Sequence, residues 1–153
     1  MRAMDVLGEH ESSRRTAAVN SHEAVPLRRP LILVVEDDRH EWELYGKLLW
    51  YNGFDVIRAE TGEEGLVMAR RHLPDLLLLD LLLPGMDGMS VCRTLKSDPA
   101  TRNIIVVVLS GRAECEYGVL MRRNGCARYL EKPIGPLRVL HEVEQLIGRA
   151  PPS

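Results

Sequence analysis

From Pro30 onward, short apolar runs alternate with amphipathic stretches. Leu31-Ile32-Leu33-Val34-Val35 is a continuous apolar run, the pattern of a parallel strand covered on both faces. Arg39 to Asn52 has helical periodicity and stops at Gly53, placed to take the left-handed conformation that closes a helix. Asp55-Val56-Ile57-Arg58-Ala59 is a second, more polar strand, suited to a sheet edge. Thr61 opens a helix that reaches Arg71, and Glu64 three residues later completes a capping box. Leu76 to Leu79 forms a third strand, and Met89 to Lys96 a helix broken by Asp98-Pro99. Ile104 to Leu109 is the fourth strand, followed by a helix that closes at Asn124-Gly125. Ala127 to Leu130 is the fifth strand. The last helix starts after Gly135, with Pro136 at its first position, and runs to Ile147. Five β/α units with short links predict a doubly wound α/β sandwich.

Met1 to Arg29 mixes charges without a sustained period and reads as a flexible tail. The ordered domain is expected over 30–148, with 149–153 as a short C-terminal tail. With 153 residues, the chain is long enough for one domain with a sizeable core. The net charge of −2 has no basic excess, so charge does not point to nucleic acid. The apolar runs are too short to span a membrane, and no signal peptide is visible. Cys92, Cys115 and Cys126 have no CxxC spacing and read as reduced thiols of a cytoplasmic protein.

The candidate chemistry lies where strands end. In an open parallel sheet, ligands bind at the carboxyl ends of the strands, near the point where strand order reverses. Glu36, Asp37 and Asp38 follow the first strand. Asp80 ends the third, the most apolar run of the chain, and faces Leu81-Leu82-Leu83-Pro84-Gly85-Met86-Asp87-Gly88. A carboxylate in that position needs a cation or hydrogen-bond donors around it. Ser110-Gly111 follows the fourth strand and Lys132-Pro133 the fifth. Clustered carboxylates are hard-oxygen ligands suited to Mg²⁺. A hydroxyl and an ammonium suit the oxygens of a phosphoryl group. Together they can build an aspartyl-phosphate site.

These motifs resemble the receiver domain of two-component response regulators, the CheY-like family, over roughly Leu31 to Ile147. The matching segments are Val34-Val35-Glu36-Asp37-Asp38, Leu79-Asp80 through Asp87-Gly88, Leu109-Ser110-Gly111 and Tyr129-Leu130-Glu131-Lys132-Pro133. The resemblance implies a five-stranded parallel sheet of order 2-1-3-4-5 with helices on both faces. It implies Asp80 as phosphoacceptor, with a histidine kinase or phosphotransfer protein as donor. Mg²⁺ would be held by Asp37, Asp80 and the backbone carbonyl of Leu82, with Glu36 helping through water. Ser110 and Lys132 would engage phosphoryl oxygens. Tyr129 would be the aromatic switch coupled to Ser110, and the Lys132-Pro133 bond would be cis. The resemblance further implies a phosphoacceptor that assists its own phosphorylation and dephosphorylation without being an ordinary enzyme. Because the sequence stops after the fifth helix, a stand-alone receiver is expected, signalling to a downstream protein with no DNA-binding domain.

Simpler roles stand beside these. Asp38 reads as the N-cap of the first helix, Asp87 as part of a loop turn, and Glu131 as a solvated charge. Tyr129 could serve packing alone. Trp42, Gly46 and Trp50 share one face of the first helix, with Leu44, Tyr45, Leu48 and Leu49 inward. The two tryptophans are therefore expected to be exposed, either singly and without a role or as a docking patch for a kinase or phosphotransfer helix. Cys126-Ala127-Arg128 stands where transcription-factor receivers carry an acidic pair, which weakens dimerisation through that face. Leu82 and Arg112 stand where the family tunes acyl-phosphate lifetime.

A receiver-fold interaction module that is never phosphorylated is the alternative; the intact acid set argues against it. A haloacid-dehalogenase-type hydrolase would need an acid where Leu82 stands. A flavodoxin would need a phosphate loop where Glu36-Asp37-Asp38 would repel phosphate.

Overall fold

The computed structural model describes residues 28–148. The elements run β1 (Leu31–Val35), α1 (Arg39–Tyr51), β2 (Asp55–Ala59), α2 (Gly62–His72), β3 (Leu76–Asp80), α3 (Gly88–Ser97), β4 (Ile105–Ser110), α4 (Glu114–Arg123), β5 (Arg128–Glu131) and α5 (Pro136–Ile147). The strands form one parallel sheet of order β2-β1-β3-β4-β5. Chain order reverses between β1 and β3, which places the switch point between Glu36 and Asp80.

Alternation along the strands divides the core between the two faces of the sheet. Leu33 and Val35 of β1 pack with Leu77, Leu79, Val106 and Val108, under Leu66, Ala69, Val91, Leu95 and Met121 of α2, α3 and α4. Ile32 and Val34 pack with Leu76, Leu78 and Val107, under Trp42, Tyr45 and Leu49 of α1 and Val139, Leu140 and Val143 of α5. Helices on both faces explain why β1 is apolar throughout and why β3 and β4 are apolar up to their last residues, Asp80 and Ser110.

The helix starts follow local chemistry. The side chains of Asp38, Thr61 and Asp87 cap α1, α2 and α3 by accepting from the amides of Glu41, Glu64 and Ser90. Asp38 is thus the predicted N-cap, and Asp87 is one as well. Glu64 closes the box one residue further out than expected, accepting from the amide of Glu60. Gly53 and Gly125 lie at positive φ just past α1 and α4.

Three expectations change. Trp42 is wholly buried and Trp50 half-buried, whereas Leu44 is exposed. The inward set of α1 is Trp42, Tyr45, Gly46 and Leu49, which is the same periodicity turned by about a fifth of a revolution. The proposed tryptophan docking patch is therefore overturned. β2 is an edge strand as expected, yet all five of its residues are buried. Asp55 pairs with Arg29 at 3.2 Å, and Arg58 lies 4.7 Å over the Trp42 ring. Glu131 is exposed, but it caps α4 by accepting from the Glu114 amide at 2.8 Å.

Arg28 and Arg29, assigned to the tail, are tied to the domain. Arg28 pairs with Asp75 at 2.8 Å. Arg29 donates to the carbonyls of Trp50 and Phe54. The rest of the expected N-terminal tail, and the C-terminal one from residue 149, lie outside the described residues. No described helix is long and apolar enough to cross a membrane.

Candidate functional site

Register assembles the acid pocket. Val35 pairs with Leu79, so the next residues along β1 and β3, Glu36 and Asp80, stand side by side. Asp80 pairs with Leu109, which brings Ser110 to the same rim. Ser110 pairs with Glu131, and the Lys132 amide donates to the Ser110 carbonyl at 2.7 Å. The cis Lys132-Pro133 peptide follows, as expected.

At the centre is the Lys132 ammonium, 3.5 Å from Asp80 Oδ2, 3.3 Å from Glu36 Oε1 and 2.6 Å from Glu41 Oε2. Carboxylate oxygens of Glu36, Glu41 and Asp80 all lie within 4.8 Å of one another. Asp80 also accepts from the Leu82 amide at 3.1 Å through Oδ1. Gly88 keeps the loop after β3 close: a Cβ there would lie 2.7 Å from Leu81 Cα and 2.8 Å from the Asp80 carbonyl oxygen.

Crowding perturbs these acids. Burial, then the hydrogen bond shared with Glu41 and the field of Asp80, push the Glu36 carboxyl up to about 9; Lys132 offsets only part of this. The hydrogen bond to Glu36 holds Glu41 below its usual range; burial opposes this and Lys132 reinforces it. For Lys132, burial alone would lower the ammonium. The bond to Glu41 and the fields of Asp80, Glu36 and Glu41 outweigh that and raise it. Three acids thus share one lysine, which leaves the pocket short of positive charge.

The expected set is brought together in part. Glu36, Asp80 and Lys132 meet. Asp37 is exposed and its carboxylate lies outside the three-acid group; its backbone carbonyl accepts from Arg58 at 3.1 Å. Leu82 is exposed beside the pocket. Ser110 is buried, and its Oγ accepts from the Arg112 amide at 3.1 Å. Tyr129 is buried and its hydroxyl donates to the Arg112 carbonyl at 2.9 Å. Arg112 therefore links the hydroxyl at the rim to the aromatic ring beneath it.

Two residues that shape the pocket carry no site motif in the sequence. Glu41 reads there only as part of a helix. It stands three residues after the N-cap, and helical side chains lean toward the N-terminus, which here is the pocket. Arg58 reads in the sequence only as a strand residue. Its guanidinium donates to the Glu36 carbonyl at 3.3 Å and 3.2 Å as well as to that of Asp37, pinning the acid loop. A lone arginine inside a five-residue strand was the available signal.

Hard oxygen donors in close array, with too little positive charge among them, suit a small divalent cation such as Mg²⁺.

The sequence matches the family model of the response regulator receiver domain over residues 32–144. It is 34% identical over 119 residues to the polar-differentiation response regulator DivK of Brucella ovis, covering 78% of this chain and 97% of that protein. A putative response regulator from Chloroflexus aurantiacus superposes with a TM-score of 0.74 at 30% identity, over 80% of this chain and 100% of the other. The signal receiver domain of a putative Luxo repressor protein from Vibrio parahaemolyticus gives 0.73 at 28%, over 78% and 90%. With its sheet order, its strand-end acids and these likenesses in agreement, the chain belongs to the response regulator receiver domain family.

Proposed function

We propose that Asp80 accepts a phosphoryl group from a phosphohistidine of a histidine kinase or phosphotransfer protein. A carboxylate oxygen of Asp80 attacks phosphorus in line, the P–N bond breaks, and the leaving imidazole keeps the electron pair. The carrying observation is the placement of the Lys132 ammonium 3.5 Å from Asp80 at the switch point of the sheet. Phosphorylation on aspartate is general in this family, and Asp80 ends the central strand β3.

Asp80, Asp37 and the Leu82 carbonyl are the proposed holders of Mg²⁺, with Glu36 acting through water. When bound, the ion supplies positive charge that neutralises phosphoryl oxygens. Lys132 neutralises another oxygen and Ser110 donates to a third. Turning the Ser110 hydroxyl toward the phosphoryl group removes the acceptor of the Arg112 amide. That loosens the segment whose carbonyl holds Tyr129. Tyr129 would thereby bias the face formed by α4, β5 and α5 between two states that a downstream protein distinguishes. The protein acts as a phosphoacceptor that assists gain and loss of its own phosphoryl group and signals by protein contact.

Incubation with acetyl phosphate and Mg²⁺, followed by intact mass and peptide mapping, tests the proposal. One added phosphoryl group on Asp80, absent from Asp80→Asn, is expected. No addition would favour a receiver-fold interaction module that is never phosphorylated, and addition at another residue would overturn Asp80 as the acceptor.

A further inference from the structure

We infer that Glu41 is a latch on Lys132, a positioning residue that sets how readily this ammonium reaches a phosphoryl group on Asp80. The inference rests on the proposed phosphorylation of Asp80 and goes beyond it.

The Glu41 contact, at 2.6 Å, is the shortest of the three that Lys132 makes with carboxylates. Lys132 Nζ stands 3.5 Å from the carboxylate it is meant to serve, so in the unmodified protein its best bond points toward α1 and away from β3. The side chain of Glu41 is about one-third exposed, so water can take over its carboxylate when the lysine leaves. Glu36 is nearly inaccessible and cannot be resolvated in this way.

The position of Glu41 is itself fixed. Its amide donates to Asp38 Oδ1 at 3.1 Å, which anchors the first turn of α1. Trp42, the next residue, is buried against Arg58, which holds the acid loop from the other side. The latch is thus built into the start of a packed helix rather than a loose side chain on the surface.

Engagement of a phosphoryl oxygen by Lys132 requires this bond to be given up, so Glu41 taxes the modified state. Replacing the carboxylate by an amide keeps the shape and a weak acceptor but removes the charge. Charge-assisted hydrogen bonds are about twice as strong as neutral ones.

Glu41→Gln, Lys132→Met and the double variant are compared with the wild type in two measurements. The first is the rate of modification by acetyl phosphate with Mg²⁺, followed by intact mass. Glu41→Gln is expected to react about tenfold faster, the size of effect that a hydrogen bond to a charged group carries. In the Lys132→Met background the same change is expected to have no effect. The second measurement, in EDTA, is proton exchange at the lysine ammonium groups by NMR. The chain has only Lys47, Lys96 and Lys132, so the Lys132 signal is identified by its loss in Lys132→Met. Slow exchange at Lys132 is expected in the wild type and fast exchange in Glu41→Gln.

An unchanged or slower rate in Glu41→Gln overturns the latch. So does a gain that persists without Lys132, because Glu41 would then act through its own field or on the metal. A wild type that takes up no phosphoryl group overturns the phosphorylation reading itself, and the latch with it.

Discussion

Glu36 carries the largest electrostatic burden in the pocket because it is nearly inaccessible and faces Asp80 and Glu41 with only a share of Lys132. Two carboxylates about 4 Å apart repel by roughly 4 kcal/mol at an effective dielectric near 20. The fold relieves this by favouring the protonated form of Glu36, whose carboxyl is raised from 4.5 to about 9. A raised acid contributes stability that is complete below its unfolded value and is lost as pH climbs toward its folded one. In EDTA, the urea midpoint is therefore expected to fall between about pH 5 and about pH 8. Glu36→Gln should flatten that decline, and Mg²⁺ should reduce it in the wild type by supplying the missing positive charge. A midpoint that rose with pH over this window in EDTA would contradict the assignment. Buried thiols obey the same rule in a quieter setting. Burial pushes Cys126 up to about 11 and raises Cys92, and all three cysteines are free.

Among the elements, α4 depends most on help from outside its own sequence. Its N-cap residue is Ala113, which makes no side-chain capping bond. Glu131, from the end of β5, accepts from the Glu114 amide instead. An acid at a helix N-terminus satisfies an orphan donor and complements the helix dipole. Glu131→Ala is expected to cost about 1 kcal/mol. Faster amide exchange should be confined at first to the opening turn of α4. Because α4 and β5 both belong to the face proposed to respond to modification, this cap ties the start of the helix to the residue just before Lys132. Equal exchange in the variant and the wild type would remove the cap from the account.

Across the molecule, Trp42 joins the acid rim to the core. It packs under the sheet with Val34, Leu78 and Val139 and carries Arg58 on its ring, while Arg58 holds the carbonyls of Glu36 and Asp37. Truncating a buried tryptophan to alanine costs roughly 3–5 kcal/mol. Trp42→Ala should lower the thermal midpoint by roughly 6–20 °C, at about 2–4 °C for each kcal/mol lost. In a variant that still folds, Mg²⁺ affinity should fall too, because the acid loop loses the platform beneath its arginine. A small shift, comparable to that of an exposed site such as Leu44→Ala, would restore the exposed-tryptophan reading.

Element order, the caps of α1 and α2 and the strand-end acids were legible in the chain because they depend on neighbours within a few residues. A run of β-branched and aliphatic residues signals a buried strand wherever it occurs, and Asp38, Thr61 and Pro136 act on their own helix starts. Motif spacing then placed Asp80, Ser110 and Lys132 at successive strand ends. Folding alone decided which side of α1 turned inward, because the Trp42 and Leu44 faces both satisfy a 3.6-residue period. The choice fell to the space between β1 and α5 and to the arginine waiting on β2. The partners of Lys132 were equally hidden. Glu36 and Glu41 lie 96 and 91 positions away along the chain, and no local pattern tells which of three acids a lysine will prefer. Contacts at that separation are set by how the sheet closes its register and how far each helix leans over its rim.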